Sequence, residues 1–152
     1  MEEYNYNAQG GSVTSSENIV GGIIGAFIGT IPGVILWVLI GTFGFIASIS
    51  TVLMLAGAIK GYTILGKSMS VRGVIISAIF TVIMTFAAVH ISYIVEAIRA
   101  WGFDGFSQSS VISFLRWIWS EGEIRASLLK DLGIAYLFLI VYGISYVRRR
   151  IK

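Results

Sequence analysis

Four polar side chains in one apolar segment are the residues whose types could carry proton chemistry: His90, Tyr93, Glu96 and Arg99. Their spacing of three places them roughly on one side of a helix. An ionisable residue inside a membrane predicts a functional site. The alternative interpretation is structural, with a neutral His90 bonded to a neighbouring helix and a water-exposed Glu96–Arg99 pair. We favour the structural interpretation, because these residues lie near the end of the apolar stretch.

A second pattern with chemical meaning is the phosphate-loop match at Gly61–Ser68, which reads GYTILGKS. Such a loop needs a strand before it and a helix after it, so that its backbone amides converge on phosphate. Here an apolar helix precedes the match, and bulky residues fill the loop. We interpret the match as false and predict no nucleotide site. Lys67 and Arg72 are instead expected to set the topology and to meet anionic lipid.

Several classes of chemistry are excluded or unsupported by composition. The chain has no cysteine and one histidine, so it has no thiolate ligand or disulfide and no evident histidine-based metal site. No nucleophile with a neighbouring base is recognisable. We therefore expect no enzyme, no catalytic residue, no metal and no cofactor. The net charge of +3 is too small to indicate nucleic-acid binding.

The elements that hold these residues are predicted to be membrane helices. The chain is 56% hydrophobic and 12% charged, whereas a soluble domain carries roughly 25% charged residues. Residues 1–18 are expected to form a disordered cytoplasmic tail, with a capping box at 14–17. Residues 19–152 are expected to form a single all-α domain. A spanning helix needs ~20 mostly apolar residues, and four such spans are predicted at 19–40, 45–65, 73–98 and 126–147.

A short amphipathic helix is predicted at 109–119, between the third and fourth spans. Its apolar residues share one face through their i, i+3, i+4, i+7 spacing, and they are Val111, Phe114, Leu115 and Ile118. Trp117 and Trp119 favour the headgroup region of a membrane. This interfacial helix either lies on the membrane or caps the mouth of the bundle.

The distribution of basic residues predicts the orientation. One side of the predicted membrane holds seven: Lys60, Lys67, Arg72, Arg148, Arg149, Arg150 and Lys152. The other side holds four: Arg99, Arg116, Arg125 and Lys130. The positive-inside rule places the larger group, and with it both termini, in the cytoplasm. We therefore expect a multi-pass protein of the cell membrane, whose basic C-terminal end anchors the last helix at anionic lipid.

The first span contains glycines four residues apart, at Gly21, Gly25, Gly29 and Gly33. Residues at this spacing stack along one helix face, and small residues permit close approach of helices in lipid. The second span offers Gly57 and Gly61. This glycine zipper predicts either a contact between the first two spans, which we favour, or a homodimer interface. Pro32 removes a backbone donor within the first span, so a kink is expected there.

Two functions stay open. Ser77, Thr81 and Thr85 form a polar stripe on the third span, which serves either helix packing or a narrow path. Together with Pro32 and His90, the stripe supports a small transport or channel subunit, with a homo-oligomer as one form. The tryptophan-rich outer helix supports the alternative, a non-catalytic accessory or scaffold protein that binds a membrane-protein partner.

Three segments resemble parts of uncharacterised small four-helix membrane proteins of Gram-positive gut bacteria. They are GAIKGYTILG, the SVRGVIIS that follows it, and KDLGIAYLF near the end of the chain. The resemblance covers roughly residues 21–147. It implies a location in a bacterial inner membrane, and it implies no activity and no functional residue.

Overall fold

The structure, a computed structural model, describes residues 17–41, 49–68, 70–102 and 108–150. The described residues are almost entirely helical and contain no strand. They form five helices, which are α1 (Ile19–Ile40), α2 (Ser50–Gly66), α3 (Val71–Trp101), α4 (Gln108–Ser120) and α5 (Gly122–Arg150). The predicted all-α fold class is therefore confirmed for this part of the chain. Of the predicted tail at 1–18, residues 1–16 lie outside the described residues, whereas Glu17 and Asn18 are described and make hydrogen bonds.

Three of these helices are long and apolar enough to cross a membrane. They are α1, α3 over Val71–Ala100, and α5 over Gly122–Arg149. These helices support a membrane location for the chain. Helix α2 has 17 described residues, a length of about 25 Å at 1.5 Å per residue. The predicted second span begins at 45, and residues 42–48 lie outside the described ones, so a fourth span stays a prediction.

Side chains close the starts of two helices. The Asn18 side chain accepts a hydrogen bond from the Gly21 amide at 3.0 Å, and the Ser70 hydroxyl accepts one from Gly73 at 3.2 Å. Asn18 is thus the N-cap of α1. The predicted capping box, which would place Glu17 inside the first turn, is wrong for this helix. Glu17 precedes the helix, and its carboxylate bonds to other helices.

Helices α3 and α5 both continue beyond the predicted spans. Helix α3 runs to Trp101 and ends at Gly102, which has a φ of 79°. Helix α5 begins at Gly122, four residues before its predicted start, and reaches Arg150. The predicted bounds are those of the membrane spans, and backbone hydrogen bonding continues a helix beyond its span without apolar side chains. The outer turns of α5 therefore carry charged residues such as Lys130.

The closest helix contact joins α1 and α2 backbone to backbone. A Cβ built on Gly25 would overlap the Gly61 carbonyl, and a Cβ on Gly61 would overlap the Gly25 carbonyl. Gly29 and Gly57 meet in the same reciprocal way. At these two levels no side chain separates the helices. The structure thus places four of the predicted packing glycines in one intramolecular contact.

The two outer glycines of the predicted groove lie against α2 as well. A Cβ on Gly21 would lie 2.5 Å from the Leu65 carbonyl oxygen, and one on Gly33 would lie 2.8 Å from the Met54 amide nitrogen. From Gly21 to Gly33 the contact follows α1 for about 18 Å at 1.5 Å per residue. The whole glycine face of α1 is therefore covered by α2.

Pro32 is exposed, and α1 continues through it to Ile40. Proline cannot donate to the Ile28 carbonyl one turn earlier. The Thr30 hydroxyl, which is fully buried, donates to the Phe27 carbonyl at 2.7 Å. The expected kink stays a prediction, and the proline side chain is exposed.

The helices have two ends that differ in chemistry. At the first, called the Glu17 end, the Asn18 amide donates to the Gly66 carbonyl at 3.0 Å, and exposed Lys67 and Arg72 lie close by in the chain. Arg148 of α5 lies at the same end, because it lines a groove with Val74 of α3. The described start and end of the chain therefore share one end of the bundle.

The opposite end, called the Trp119 end, holds the main apolar core. Its buried residues come from all five helices, and they are Trp37, Met54, Ala88, Val89, Ile118, Leu128, Leu132 and Ala135. Many large apolar side chains elsewhere face outward, including Ile24 at 50% and Ile79 at 52% exposure. Exposed apolar surface of this extent is typical of helices that contact lipid or a partner.

We predict that Gly29→Ala destabilises the bundle by about 1–3 kcal/mol, the usual cost of overpacking. The added methyl group meets the Gly57 carbonyl, which is backbone and cannot rotate away. The measurement is the free energy of unfolding in mixed micelles with increasing denaturing detergent.

The matched control for this prediction is Gly133→Ala in α5, where an added Cβ meets nothing within 4 Å. That variant is expected to be neutral or to gain up to about 1 kcal/mol from helix propensity. Equal effects of the two substitutions would contradict the close contact between α1 and α2.

Candidate functional site

His90 is held between two helices by hydrogen bonds at both ring nitrogens. Its Nδ1 lies 2.8 Å from the Phe86 carbonyl oxygen, and the Trp119 Nε1–H donates to its Nε2 at 3.2 Å. A nitrogen that accepts from an indole N–H carries no proton, so the proton lies on Nδ1 and is donated to Phe86. The geometry therefore assigns the neutral Nδ1–H tautomer, bonded to a neighbouring helix.

Three rings surround this hydrogen bond. The Phe86 and His90 ring centroids are 4.2 Å apart, and the His90 and Trp119 rings are stacked with centroids 5.8 Å apart. Phe86 and Trp119 are also stacked, at 6.5 Å. We call Phe86, His90 and Trp119 the aromatic cluster. It joins α3 to α4 at the Trp119 end, since two of its rings belong to α3 and one to α4.

Tyr93 takes part in a separate contact, with α5 rather than with α4. Its hydroxyl is hydrogen bonded to Ser127, and the carboxylates of Asp131 and Glu96 lie near enough to act on it electrostatically. Glu96 and Arg99 are exposed. Their ion pair stays a prediction. The four residues therefore do not form one polar site. His90 is bonded to α4, Tyr93 is bonded to α5, and Glu96 and Arg99 are exposed.

No metal site is formed in the part of the chain that the structure describes, where no group of three His, Cys, Asp or Glu side chains could hold an ion. The chemistry available at His90 is therefore that of one neutral imidazole. Its two nitrogens are already occupied by hydrogen bonds within the protein.

Helix α4 packs onto the bundle with the face that the sequence predicts to be apolar. Ile118 is 0% exposed and belongs to the main core, and Phe114 and Leu115 pack against that core. Trp117, at 44% exposure, and Ile112, at 62%, face outward. Of the two interpretations left open by the sequence, the structure favours a cap on the bundle, because the apolar face contacts protein.

A second polar cluster joins three helices at the Glu17 end. The Glu17 carboxylate oxygen Oε1 accepts hydrogen bonds from the Tyr62 hydroxyl at 2.9 Å and from the Ser70 hydroxyl at 2.6 Å. Glu17 precedes α1, Tyr62 belongs to α2 and Ser70 caps α3. We call these three residues the Glu17 clasp. The pKa of Glu17 is lowered, chiefly by the hydrogen bond from Ser70 and next by the one from Tyr62. The positive charge of Arg72 lowers it to a smaller extent.

The phosphate-loop match lies on the end of α2 rather than in a loop. Gly61–Gly66 are helical, and Lys67 follows in the left-handed conformation with a φ of 62°. Gly61 faces Gly25 of α1, where it serves helix packing. The matching segment is therefore helical where a phosphate-binding loop would be a turn. Its glycines are explained by helix packing.

The hydroxyl stripe of α3 is turned into the bundle. Ser77, Thr81 and Thr85 are each 0% exposed. Thr81 donates to the Ser77 carbonyl at 2.8 Å, and Thr85 lies 3.5 Å from the Met54 sulfur. Within the part of the chain that the structure describes, the Ser77 hydroxyl has no hydrogen-bond partner, and neither do the buried hydroxyls of Ser50 and Thr51 on α2. In this conformation the stripe contacts other helices and does not line an open path.

The predicted anchor residues are distributed over both ends. Lys67, Arg72, Arg148 and Arg149 are exposed at the Glu17 end, and Trp117 and Trp119 are exposed at the other. Arg150 ends α5. Trp119, predicted only as an anchor, is also the partner of His90.

Comparisons with known proteins do not identify the chain: no protein-family model matches it, and neither does any curated protein or solved structure.

We predict that Trp119→Phe changes the NMR signal of the His90 Nε2, because this nitrogen loses its hydrogen-bond donor while Nδ1–H still donates to the Phe86 carbonyl. The chain has one histidine, so ¹⁵N-labelled histidine gives a single-site NMR signal. Wild type is expected to show a protonated Nδ1 and an unprotonated Nε2. The variant is expected to keep the protonated Nδ1 and to show a shifted Nε2 signal.

Trp117→Phe is the matched control, since Trp117 is also an exposed tryptophan of α4 and stacks on Phe114. It should leave the histidine signals as in wild type. A wild-type spectrum with an unprotonated Nδ1 would show that the hydrogen bond to Trp119 is absent.

We also predict a pH dependence of stability from the Glu17 clasp. Because the pKa of Glu17 is lowered in the folded chain, the clasp stabilises the fold above the ordinary pKa of 4.5. That stabilisation is lost as the pH falls through the lowered pKa. Glu17→Gln should be less stable than wild type at neutral pH, and the difference should shrink in acid.

The measurement is the free energy of unfolding between about pH 7 and pH 3, in the range where carboxylates titrate. Glu123→Gln, at an exposed acid in the first turn of α5, serves as the control for the loss of one negative charge. If both variants respond to pH in the same way, the clasp makes no specific contribution.

Proposed function

We propose that this chain is a four-span protein of the cell membrane with both termini in the cytoplasm. The three long apolar helices support a membrane location, and the second span predicted at 45–65, which overlaps α2, would be the fourth. The grouping of Lys67, Arg72, Arg148 and Arg149 at one end supports a cytoplasmic Glu17 end. A bacterial origin, which the resemblance to small proteins of Gram-positive bacteria implies, is part of this proposal.

We further propose that the protein is a non-catalytic accessory or scaffold protein, which presents α4 to a membrane-protein partner. One observation carries this proposal: α4 is fixed on its inner side and exposed on its outer side. Ile118 anchors it in the core, and Trp119 anchors it at His90. Exposed aromatic residues and arginine are enriched where proteins bind proteins, and the outer side of α4 carries Trp117 and Arg116.

Transport is the weaker candidate in this structure. Its support is the set of buried hydroxyls without a partner, since native structures leave few such groups unsatisfied. Against it, the stripe on α3 is fully buried, Pro32 faces outward and His90 is held by two hydrogen bonds. A path along the stripe would therefore require the helices to separate.

The proposed function predicts a partner contact at Trp117. A photo-cross-linking residue at position 117, in native membranes, is expected to give one discrete adduct heavier than two copies of this 16.5 kDa chain. The same probe at Leu137 of α5, which is 61% exposed on another face, serves as the control. Adding Trp119→Ala, which releases α4, should reduce the adduct from position 117.

Three results would contradict the scaffold proposal. One is the absence of an adduct at 117, and another is equal cross-linking at 117 and 137. The third is flux of ions or solutes into liposomes that contain the purified protein, above that of empty liposomes, which would favour the transport candidate instead.

A further inference from the structure

A groove of about 310 Å³ opens between the start of α2 and the second half of α5. Its inner part is apolar, formed by Val52, Phe138 and Val141. Tyr142 and Ser145 follow along α5, and Arg149 closes the groove at the Glu17 end. The lining therefore changes from apolar through hydroxyl to cationic along one direction. Among the described residues that line it, none is acidic.

The length of the groove corresponds to one leaflet of a bilayer. Phe138 and Arg149 are eleven residues apart on a continuous helix, which is about 16 Å at 1.5 Å per residue. The hydrocarbon core of a bilayer is ~30 Å thick, so one leaflet contributes about 15 Å. An acyl chain that begins beside Arg149 would therefore end near Phe138 and Val52.

Along the groove, the apolar, hydroxyl-bearing and cationic residues follow one another in the order that matches the acyl chain, ester groups and phosphate of an anionic phospholipid. An acyl chain fits the apolar part, because it leaves no polar group of either partner unsatisfied there. The ester groups fall at the level of Tyr142 and Ser145. The phosphate falls at Arg149, and a guanidinium is well suited to phosphate because it is always charged and presents a planar set of donors.

We propose that this groove binds one anionic phospholipid, with the phosphate at Arg149 and an acyl chain along α5 to Phe138. The proposal rests on the membrane location of these helices and not on the role proposed for α4. Arg148, the neighbouring residue, lines a separate groove with Val74 and Ile75 of α3. It adds positive charge at the same end.

The experiment is native mass spectrometry of the full chain in detergent, titrated with phosphatidylglycerol or with phosphatidylcholine of the same acyl chains. Wild type is expected to retain one phosphatidylglycerol about fivefold more tightly than phosphatidylcholine, the effect of one basic residue at an anionic headgroup. Arg149→Gln should remove this preference, and Arg149→Lys should keep most of it. Arg125→Gln, at an exposed arginine near the other end of α5, should match wild type.

The apolar part of the groove has its own test. Val141→Trp fills the groove and should weaken retention of both lipids, while Leu137→Trp, on an exposed face of the same helix, should not. Circular dichroism establishes that each variant keeps its helices.

Three outcomes would overturn the proposal. They are equal retention of the two lipids by wild type, equal behaviour of Arg149→Gln and Arg125→Gln, and displacement of the lipid by soluble glycerol phosphate at equal concentration. The last would mean that Arg149 binds phosphate without the groove. None of these outcomes depends on whether α4 has a partner, so failure here is distinct from failure of the scaffold proposal.

Discussion

The backbone contact between α1 and α2 is the constraint on which the rest of the bundle depends. In lipid, apolar side chains gain nothing by leaving the hydrocarbon for another helix, so close packing has to supply the association energy. Gly25 against Gly61 and Gly29 against Gly57 bring the two backbones together without any side chain between them. This pair then offers one broad surface, against which α3 places its buried Ser77, Thr81 and Thr85.

Hydrogen bonds at the two ends of the bundle fix how the helices are positioned relative to one another, which apolar packing alone does not specify. At the Glu17 end, one carboxylate joins the boundaries of three helices through Tyr62 and Ser70. At the other end, the imidazole of His90 holds α4 through Trp119. The Glu17 bonds lie at helix ends, and Trp119 lies in the last turn of α4. In the middle of the bundle, the helices contact one another through glycines and small hydroxyl side chains.

Much of the architecture could be predicted because membrane helices are encoded locally. The limits of α1, the presence of α4 and its inward face with Ile118 all follow from apolar runs and from a spacing of 3.6 residues. The spacing of the glycines in α1 also indicated which face of this helix contacts α2. Helices α3 and α5 continue beyond their predicted spans, since a helix does not stop where its apolar residues stop. The capping residue of α1 was missed, because Thr14–Glu17 and Asn18 both fit a local capping pattern.

The sequence by itself determined the helices, their apolar faces and the uneven distribution of basic residues, because each depends on residues that are neighbours in the chain. Only the tertiary structure decided which polar groups meet. Glu17 and Tyr62 are 45 residues apart, and His90 and Trp119 are 29 apart, so no local pattern connects them. These pairs form because the glycine contact sets the axial positions of α1 and α2, and the packing of α3 and α4 onto that pair then brings the side chains within hydrogen-bonding distance.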